Sequence, residues 1–248
     1  MNRKNVMGLA LVVCLVCGIA ATPVSAATMT MLGSDADTYL RDATVRGALD
    51  FMDVRGGTID FRGYLRFDLS SLGPNAVIQT ASLKLTIHGG PGASRNDAIT
   101  TGRFAAYGLN NVVGNTSQSW DESTFVPAAK GTEDVTTLTG VSDLDGDVPG
   151  MSEVVVGGQP AGSTVTISGA PLVAFLQSRV DDGGLATLIL SNDDATDRGY
   201  GLATKEHANT GYRPMLTLTF LVPEPASAVL MLAAMFGLSN VRRKGGRS

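Results

Sequence analysis

Residues 82–88 read Ser-Leu-Lys-Leu-Thr-Ile-His, with an apolar side chain at every second position. Successive side chains of a β-strand point to opposite faces of the sheet, so Leu83, Leu85 and Ile87 are expected to share one face. The polar residues between them, with His88 at the end, are expected on the opposite, solvated face. The stretch therefore predicts a half-buried strand.

The same alternation recurs through the middle of the chain and predicts further strands at residues 28–32, 64–68, 103–109, 153–156, 164–167, 187–190 and 216–220. Glycine, proline, asparagine and aspartate cluster between these stretches, as they do in turns. One stretch differs, because apolar residues follow helical spacing from Leu172 to Val180, after Pro171 and before Gly183. These patterns predict an all-β fold, an antiparallel β-sandwich with one short helix.

The composition is that of a folded, acidic protein. The 248 residues are 44% hydrophobic and 17% charged, which is outside the range of disordered chains. Residues 27–221 hold 13 lysines and arginines against 22 aspartates and glutamates, and no basic stripe occurs there. Binding to nucleic-acid phosphates is therefore disfavoured.

The N-terminal residues 1–26 have the features of a secretory signal peptide. Arg3 and Lys4 precede an apolar run over residues 6–21, and small residues lead up to Ala26. We expect signal peptidase to cleave between Ala26 and Ala27, and an uncleaved membrane anchor is the alternative. Both cysteines of the chain lie in this segment, so the mature protein would contain none.

The C-terminal residues 222–248 combine three features in a fixed order. The tripeptide Pro223-Glu224-Pro225 is followed by an apolar run over residues 226–238 and then by basic residues at Arg242, Arg243 and Lys244. We expect this segment to serve as a transmembrane helix, with its trailing cations in the cytoplasm. An ordinary C-terminal anchor or a core helix are the alternatives.

This arrangement resembles the PEP-CTERM sorting segment of Gram-negative bacteria. The resemblance implies recognition by an exosortase while the segment serves as a transient inner-membrane anchor. It also implies removal of the tail, and then secretion from, or retention at, the surface of a cell that produces polysaccharide.

Residues 27–221 resemble a second family, the DNRLRE-type domain. The matching stretches are Ala36-Asp37-Thr38-Tyr39-Leu40-Arg41, residues 64–72, residues 81–85, Trp120-Asp121-Glu122-Ser123-Thr124, residues 172–177 and residues 211–216. The resemblance implies a jelly-roll-like sandwich grouped with carbohydrate-binding modules. The second tryptophan that usually follows the tryptophan element is missing here, because Phe125 and Val126 stand in its place.

Catalytic motifs are scarce in this sequence. Two histidines, at positions 88 and 207, are too few for a histidine-based metal cluster, and both are expected in exposed or loop positions. Neighbouring acids occur at 121–122, 181–182 and 193–194, but adjacent residues of a strand point to opposite faces, which does not suit a glycosidase pair. The sequence therefore predicts a protein without enzymatic activity, and a polysaccharide-degrading enzyme is the less favoured reading.

One acidic loop has calcium-ligand spacing. Asp143, Asp145 and Asp147 alternate around Gly146, and carboxylate oxygens are the ligands that Ca²⁺ prefers. An EF-hand would need a glycine at the sixth position and a glutamate at the twelfth, where Val148 and Val154 stand. The loop predicts at most a weak Ca²⁺ site, and a flexible acidic loop is the alternative.

Sugar binding usually needs exposed aromatic side chains, and Trp120 is the single tryptophan of the chain. Its polar neighbours allow exposure and make it the candidate ligand-binding residue, but a buried packing role is the favoured reading for a single tryptophan. The sequence thus predicts an exported surface or matrix protein that associates with extracellular polysaccharide. A structural spacer or adhesion domain that binds no sugar is the second hypothesis.

Overall fold

The structure is a computed structural model that describes residues 26–41, 44–55, 61–88, 103–111, 120–123, 125, 134–139, 154–155, 160–191 and 199–222. Within these ranges lie strands β1 Ala26–Gly33, β2 Ala36–Arg41, β3 Thr44–Val45, β4 Phe51–Arg55, β5 Phe61–Asp68, β6 Val77–Thr86, β7 Arg103–Asn111, β8 Asp134–Thr139, β9 Val154–Val155, β10 Thr164–Ser168, β11 Leu185–Ser191, β12 Gly199–Ala203 and β13 Met215–Val222. Helix α1 spans Ala170–Asp181.

The strands form two sheets. The smaller sheet has the order β1-β13-β6-β10, and the larger has the order β12-β4-β5-β11-β7-β8, with β2 and β3 joined through β5 and with β9 beside β7. The described strand pairings are antiparallel. The predicted all-β sandwich with one short helix is therefore confirmed.

The predicted apolar faces form the interior between the sheets. Leu83, Leu85 and Ile87 are completely buried, and so are Leu216 and Leu218 of the neighbouring strand. The strands pair Leu83 with Leu216, so residues more than 130 positions apart in the sequence are adjacent in the sheet. Burial of these side chains is the main favourable contribution to folding, and the sheet ladder fixes their register.

The larger sheet is buried on its second face as well. Tyr64, Tyr107 and Ile189 pack there with Trp120 and Phe125, in a cluster separate from the core between the sheets. The residues of β5 are therefore almost all buried. Strict alternation with one solvated face would expose Tyr64 next to the buried Leu65, but Tyr64 is buried as well. A segment outside the sheets thus covers a face that alternation alone assigns to solvent.

Helix α1 packs against the core at the predicted positions. Leu172, Phe175, Leu176 and Val180 are buried. The helix ends before Gly183 and Gly184, whose positive φ angles of 95° and 91° favour glycine. Gln177 also holds the helix against β6, since its side chain accepts from the backbone N–H of Ile78 at 2.8 Å and donates to the carbonyl oxygen of Ala76 at 3.1 Å.

Residues 27–221 form one compact unit. Ala26 and Ala27 begin β1, and Val222 ends β13. The rest of the predicted signal peptide and sorting segment, including the helices expected there, and the loop with Asp143, Asp145 and Asp147 lie outside the described residues. In the part of the chain that the structure describes, no helix is long and apolar enough to cross a membrane.

Candidate functional site

Three acidic side chains from distant parts of the sequence meet at one end of the larger sheet. Asp37 lies in β2, Glu122 follows the buried Trp120, and Glu206 lies in the turn after β12. One carboxylate oxygen of each residue lies within 4.8 Å of the others. We refer to Asp37, Glu122, Glu206 and the neighbouring Lys205 as the carboxylate cluster.

Packing around Trp120 positions Glu122. The Trp120 ring is 4.7 Å from that of Phe125, which is 4.8 Å from Tyr64. The indole N–H of Trp120 donates to the hydroxyl of Thr187 at 3.0 Å, and its carbonyl oxygen accepts from Arg66. These contacts fix the backbone two residues before Glu122, so the carboxylate is held by a rigid part of the fold.

Hydrogen bonds join the carboxylate cluster to the backbone. Oδ2 of Asp37 accepts from the hydroxyl of Ser34 and from the backbone N–H of Lys205, both at 2.8 Å. The backbone N–H of Asp37 donates to Oε1 of Glu122 at 2.8 Å. The ammonium of Lys205 lies 2.9 Å from Oε1 of Glu122 and also contacts Oε1 of Glu206.

Two carboxylate oxygens of the cluster have no hydrogen-bond partner. They are Oδ1 of Asp37 and Oε2 of Glu206, and both atoms are buried. Asp37 is only 1% exposed, so water does not solvate its second oxygen. A buried polar atom without a partner is unfavourable, and a proton or a cation between such oxygens would relieve that cost.

The cluster shifts the pKa of two of its members. Burial raises the pKa of Asp37 to about 7, and the charge of Glu206 adds to the increase, while hydrogen bonds from the backbone N–H of Lys205 and from Ser34 oppose it. Burial lowers the pKa of Lys205, but hydrogen bonds and charges of Glu206 and Glu122 outweigh burial and hold this pKa above its usual value. Near neutral pH the cluster therefore combines a charged lysine with an aspartate close to its titration midpoint.

The two histidines of the chain lie in contact. Their rings are 5.1 Å apart, and His207 stacks on Tyr212 at 5.0 Å. Nε2 of His88 lies 3.5 Å from Oδ2 of Asp50. His88 is only 6% exposed, so the expectation that it faces solvent is wrong. The reason is that His207 and Phe51 cover the end of β6 on that face.

Trp120 is 3% exposed and belongs to the packing described above. Its ring does not offer a free face for a sugar, which agrees with the favoured packing role and not with the ligand-binding candidate. Tyr39, Tyr64 and Tyr107 are also buried, at 7%, 1% and 0% exposure.

The neighbouring acids that the sequence offers do not form a facing pair among the described residues. Asp121 is exposed and accepts from the backbone N–H of Ser123, whereas Glu122 joins the carboxylate cluster. Asp181 and Asp182 are exposed at the end of α1, where Asp182 pairs with Arg179 at 3.2 Å. The third pair, 193–194, lies outside the described residues, as do Pro223, Glu224, Pro225 and the basic residues 242–244.

Gly47 lies directly against the Glu122 backbone. A methyl group at this position would overlap the carbonyl oxygen of Glu122 and lie 2.8 Å from its carbonyl carbon. We therefore expect Gly47→Ala to lower the free energy of unfolding by about 1–3 kcal/mol, because the overlap must displace the backbone that carries Glu122. Chemical denaturation measures the loss. Gly33→Ala is the control, since an added methyl group meets no atom within 4 Å there, and equal losses in both variants would contradict the prediction.

No family model matches the chain, and no curated protein matches it. The resemblances to the PEP-CTERM segment and to the DNRLRE-type domain therefore rest on the sequence motifs alone.

Proposed function

We propose that this chain is an exported protein of the cell surface or extracellular matrix and that its β-sandwich is a module without enzymatic activity. The observation that carries the proposal is the extent of the compact unit, Ala27–Leu221. It begins where the sequence predicts signal-peptidase cleavage and ends directly before the predicted sorting segment. Removal of both terminal segments would leave this unit whole.

The burial of Asp37 supports a role without catalysis. This side chain combines a pKa of about 7 with two carboxylate neighbours, which are features of a general acid. A general acid must reach its substrate within hydrogen-bond distance, however, and Asp37 is only 1% exposed. Glu122 is in turn paired with Lys205. The cluster is therefore better suited to holding three segments of the fold together than to proton transfer to a substrate.

A surface groove between β6 and α1 supports association with polysaccharide. It has a volume of about 620 Å³ and is lined by small apolar residues and by polar groups such as Gln79, Thr80 and Ser168. Because its lining is mostly apolar and holds no aromatic side chain, such a groove offers van der Waals contact to the apolar faces of sugar rings more than ring stacking or hydrogen bonds to sugar hydroxyls.

The burial of the aromatic side chains favours the second candidate function. Trp120, Tyr39, Tyr64 and Tyr107 all contribute to packing, which leaves these side chains unavailable for sugar stacking. A spacer or adhesion domain that presents a stable sandwich without binding sugar fits this observation.

A glycan array probed with the purified full chain separates the two candidates. If the groove binds polysaccharide, we expect at least one polysaccharide to retain the chain and Ala174→Trp to reduce retention at least about tenfold, because the added ring would fill the groove. Asp182→Asn is the matched control, since it changes an exposed residue of the chain away from the groove lining. Retention that Ala174→Trp leaves intact would contradict the groove assignment, and no retention by any polysaccharide would favour the spacer.

A further inference from the structure

The carboxylate cluster has the donor atoms of a metal site. Asp37, Glu122 and Glu206 each offer a carboxylate oxygen, and these atoms lie within 4.8 Å of one another. We propose that these three side chains form a binding site for a divalent cation and that Ca²⁺ is the ion that fits it best. The proposal concerns residues other than the acidic loop at 143–147.

The spacing of the oxygens suits the coordination distances of Ca²⁺. Oxygen ligands lie about 2.3–2.6 Å from this ion, so two of them can be at most about 5 Å apart. Mg²⁺ also takes oxygen ligands, but it requires near-ideal octahedral geometry and gives up its waters reluctantly, whereas Ca²⁺ accepts irregular sets of ligands. Zn²⁺ and Cu²⁺ prefer nitrogen and sulfur donors, whereas this cluster offers oxygen ligands. The donor set therefore selects a hard, larger cation.

The two oxygens without partners give independent support. Oδ1 of Asp37 and Oε2 of Glu206 are buried and accept no hydrogen bond, and both residues belong to the cluster. Lys205 does not satisfy them, because its ammonium contacts the Oε1 atoms of Glu122 and Glu206. The single charge of Lys205 also does not balance the three carboxyl groups once Asp37 is ionised. A divalent cation would satisfy both oxygens and offset the remaining negative charge.

Hydrogen bonds orient the proposed ligands before a cation binds. The other oxygen of Asp37 is held by Ser34 and by the backbone N–H of Lys205, and the backbone N–H of Asp37 holds Glu122. Such bonds to the ligating groups reduce the cost of ordering them. The side chains of Glu122 and Glu206 are 19% and 25% exposed, so solvent reaches the cluster on their side.

Lys205 should weaken the site. Its positive charge lies beside two of the three ligands and repels an incoming cation. We therefore expect a dissociation constant in the weak class of extracellular calcium sites, on the order of 10⁻⁴–10⁻³ M. Removal of the lysine charge should tighten binding, which is the opposite of what loss of a ligand would do.

Terbium luminescence tests the site directly. Tb³⁺ replaces Ca²⁺ at oxygen sites and emits when a nearby tryptophan is excited, and Trp120, the single tryptophan of the chain, stands two residues before Glu122. With the purified full chain, we expect emission on tryptophan excitation that rises with added Tb³⁺ and that millimolar Ca²⁺ suppresses by displacement.

Three variants assign the signal to the carboxylate cluster. Glu206→Gln keeps the size of the side chain and removes its charge, and it should weaken Tb³⁺ and Ca²⁺ binding at least about tenfold. Lys205→Met should strengthen both. Asp145→Asn is the matched control, because it removes one carboxylate from the acidic loop at 143–147, and it should leave the signal unchanged.

Circular dichroism in chelator first establishes that each variant is folded, and Glu122→Gln replaces Glu206→Gln if the latter does not fold. Absence of tryptophan-sensitised emission in the wild-type chain would overturn the proposal. So would emission that persists in a folded glutamine variant, or emission that Asp145→Asn abolishes. If neither glutamine variant folds, emission that Lys205→Met fails to strengthen would overturn the proposal.

Discussion

Replacement of Leu85 or Leu218 by alanine is expected to lower the free energy of unfolding by about 2–5 kcal/mol. Both side chains are completely buried in the core between the two sheets. Each replacement removes the transfer free energy of the lost atoms and leaves a cavity that a close-packed interior refills only in part. The two strands that carry these residues pair directly, so damage at either position disturbs the same part of the sandwich.

Urea denaturation of the purified protein measures both losses. Thr217→Ala is the matched control, because Thr217 lies next to Leu218 on the same strand but is only partly buried, and its replacement should cost well under half as much. If residues 27–221 fold as one domain, wild type and variants should each unfold in a single transition. Two separate transitions in the wild-type protein, or a loss as large for Thr217→Ala as for Leu218→Ala, would contradict this account of the core.

The stability of the Asp37→Asn variant relative to wild type is expected to increase progressively as the pH rises. The pKa of Asp37 is raised to about 7, above its value of 3.8 without the fold, so between these values the folded state binds a proton that the unfolded state has released. The stability that this proton provides is complete below the unfolded pKa and is lost as the pH rises through the folded pKa. Asparagine mimics the protonated carboxyl group at every pH, because its amide can donate toward Glu206 and its oxygen can accept from Ser34 and Lys205.

Unfolding free energies of both proteins in chelator, at about pH 5 and about pH 8, measure the effect. The difference between variant and wild type should shift in favour of the variant by about 2–3 kcal/mol over this interval. Asp182→Asn, at an exposed position, should show no comparable shift. A pH-independent difference between Asp37→Asn and wild type would show that the fold does not perturb this carboxyl group.

The regular parts of the fold could be predicted because their signals are local. Alternation at residues 82–88 and 216–220 reflects the two faces of a strand, and the helical spacing from Leu172 to Val180 reflects one buried side of α1. Gly183 and Gly184 mark the end of that helix through their positive φ angles. In each case neighbours along the chain are enough to define the environment.

The second buried face of the larger sheet could not be predicted from alternation. Tyr64 and Tyr107 are covered by Trp120 and Phe125, and this contact depends on where a segment outside the sheets packs. The burial of His88 could not be predicted for a similar reason, since His207, more than 100 positions away in the sequence, packs against its ring. A strand pattern identifies the two faces but not what covers them.

The carboxylate cluster was missed because its members are dispersed. About 85 residues separate Asp37 from Glu122, and about as many separate Glu122 from Glu206. Glu122 follows Asp121 and Glu206 follows Lys205, so in the sequence both look like solvated turn residues. Asp37 carried no local signal either, because residues 36–41 were not predicted as a strand and the burial of this strand is seen only in the structure. A buried acidic residue indicates that a partner must exist, but the sequence does not identify that partner.

The mass of the mature protein from its native cell tests the proposed function most directly. The account predicts a surface or extracellular product that begins at Ala27 and ends near Pro223 to Pro225, so that the compact unit Ala27–Leu221 is released from both sorting segments. Intact-mass spectrometry of the cell-surface and culture fractions gives both ends in one measurement. A product that retains residues 226–248 on most molecules, or one found only inside the cell with residues 1–26 intact, would contradict it.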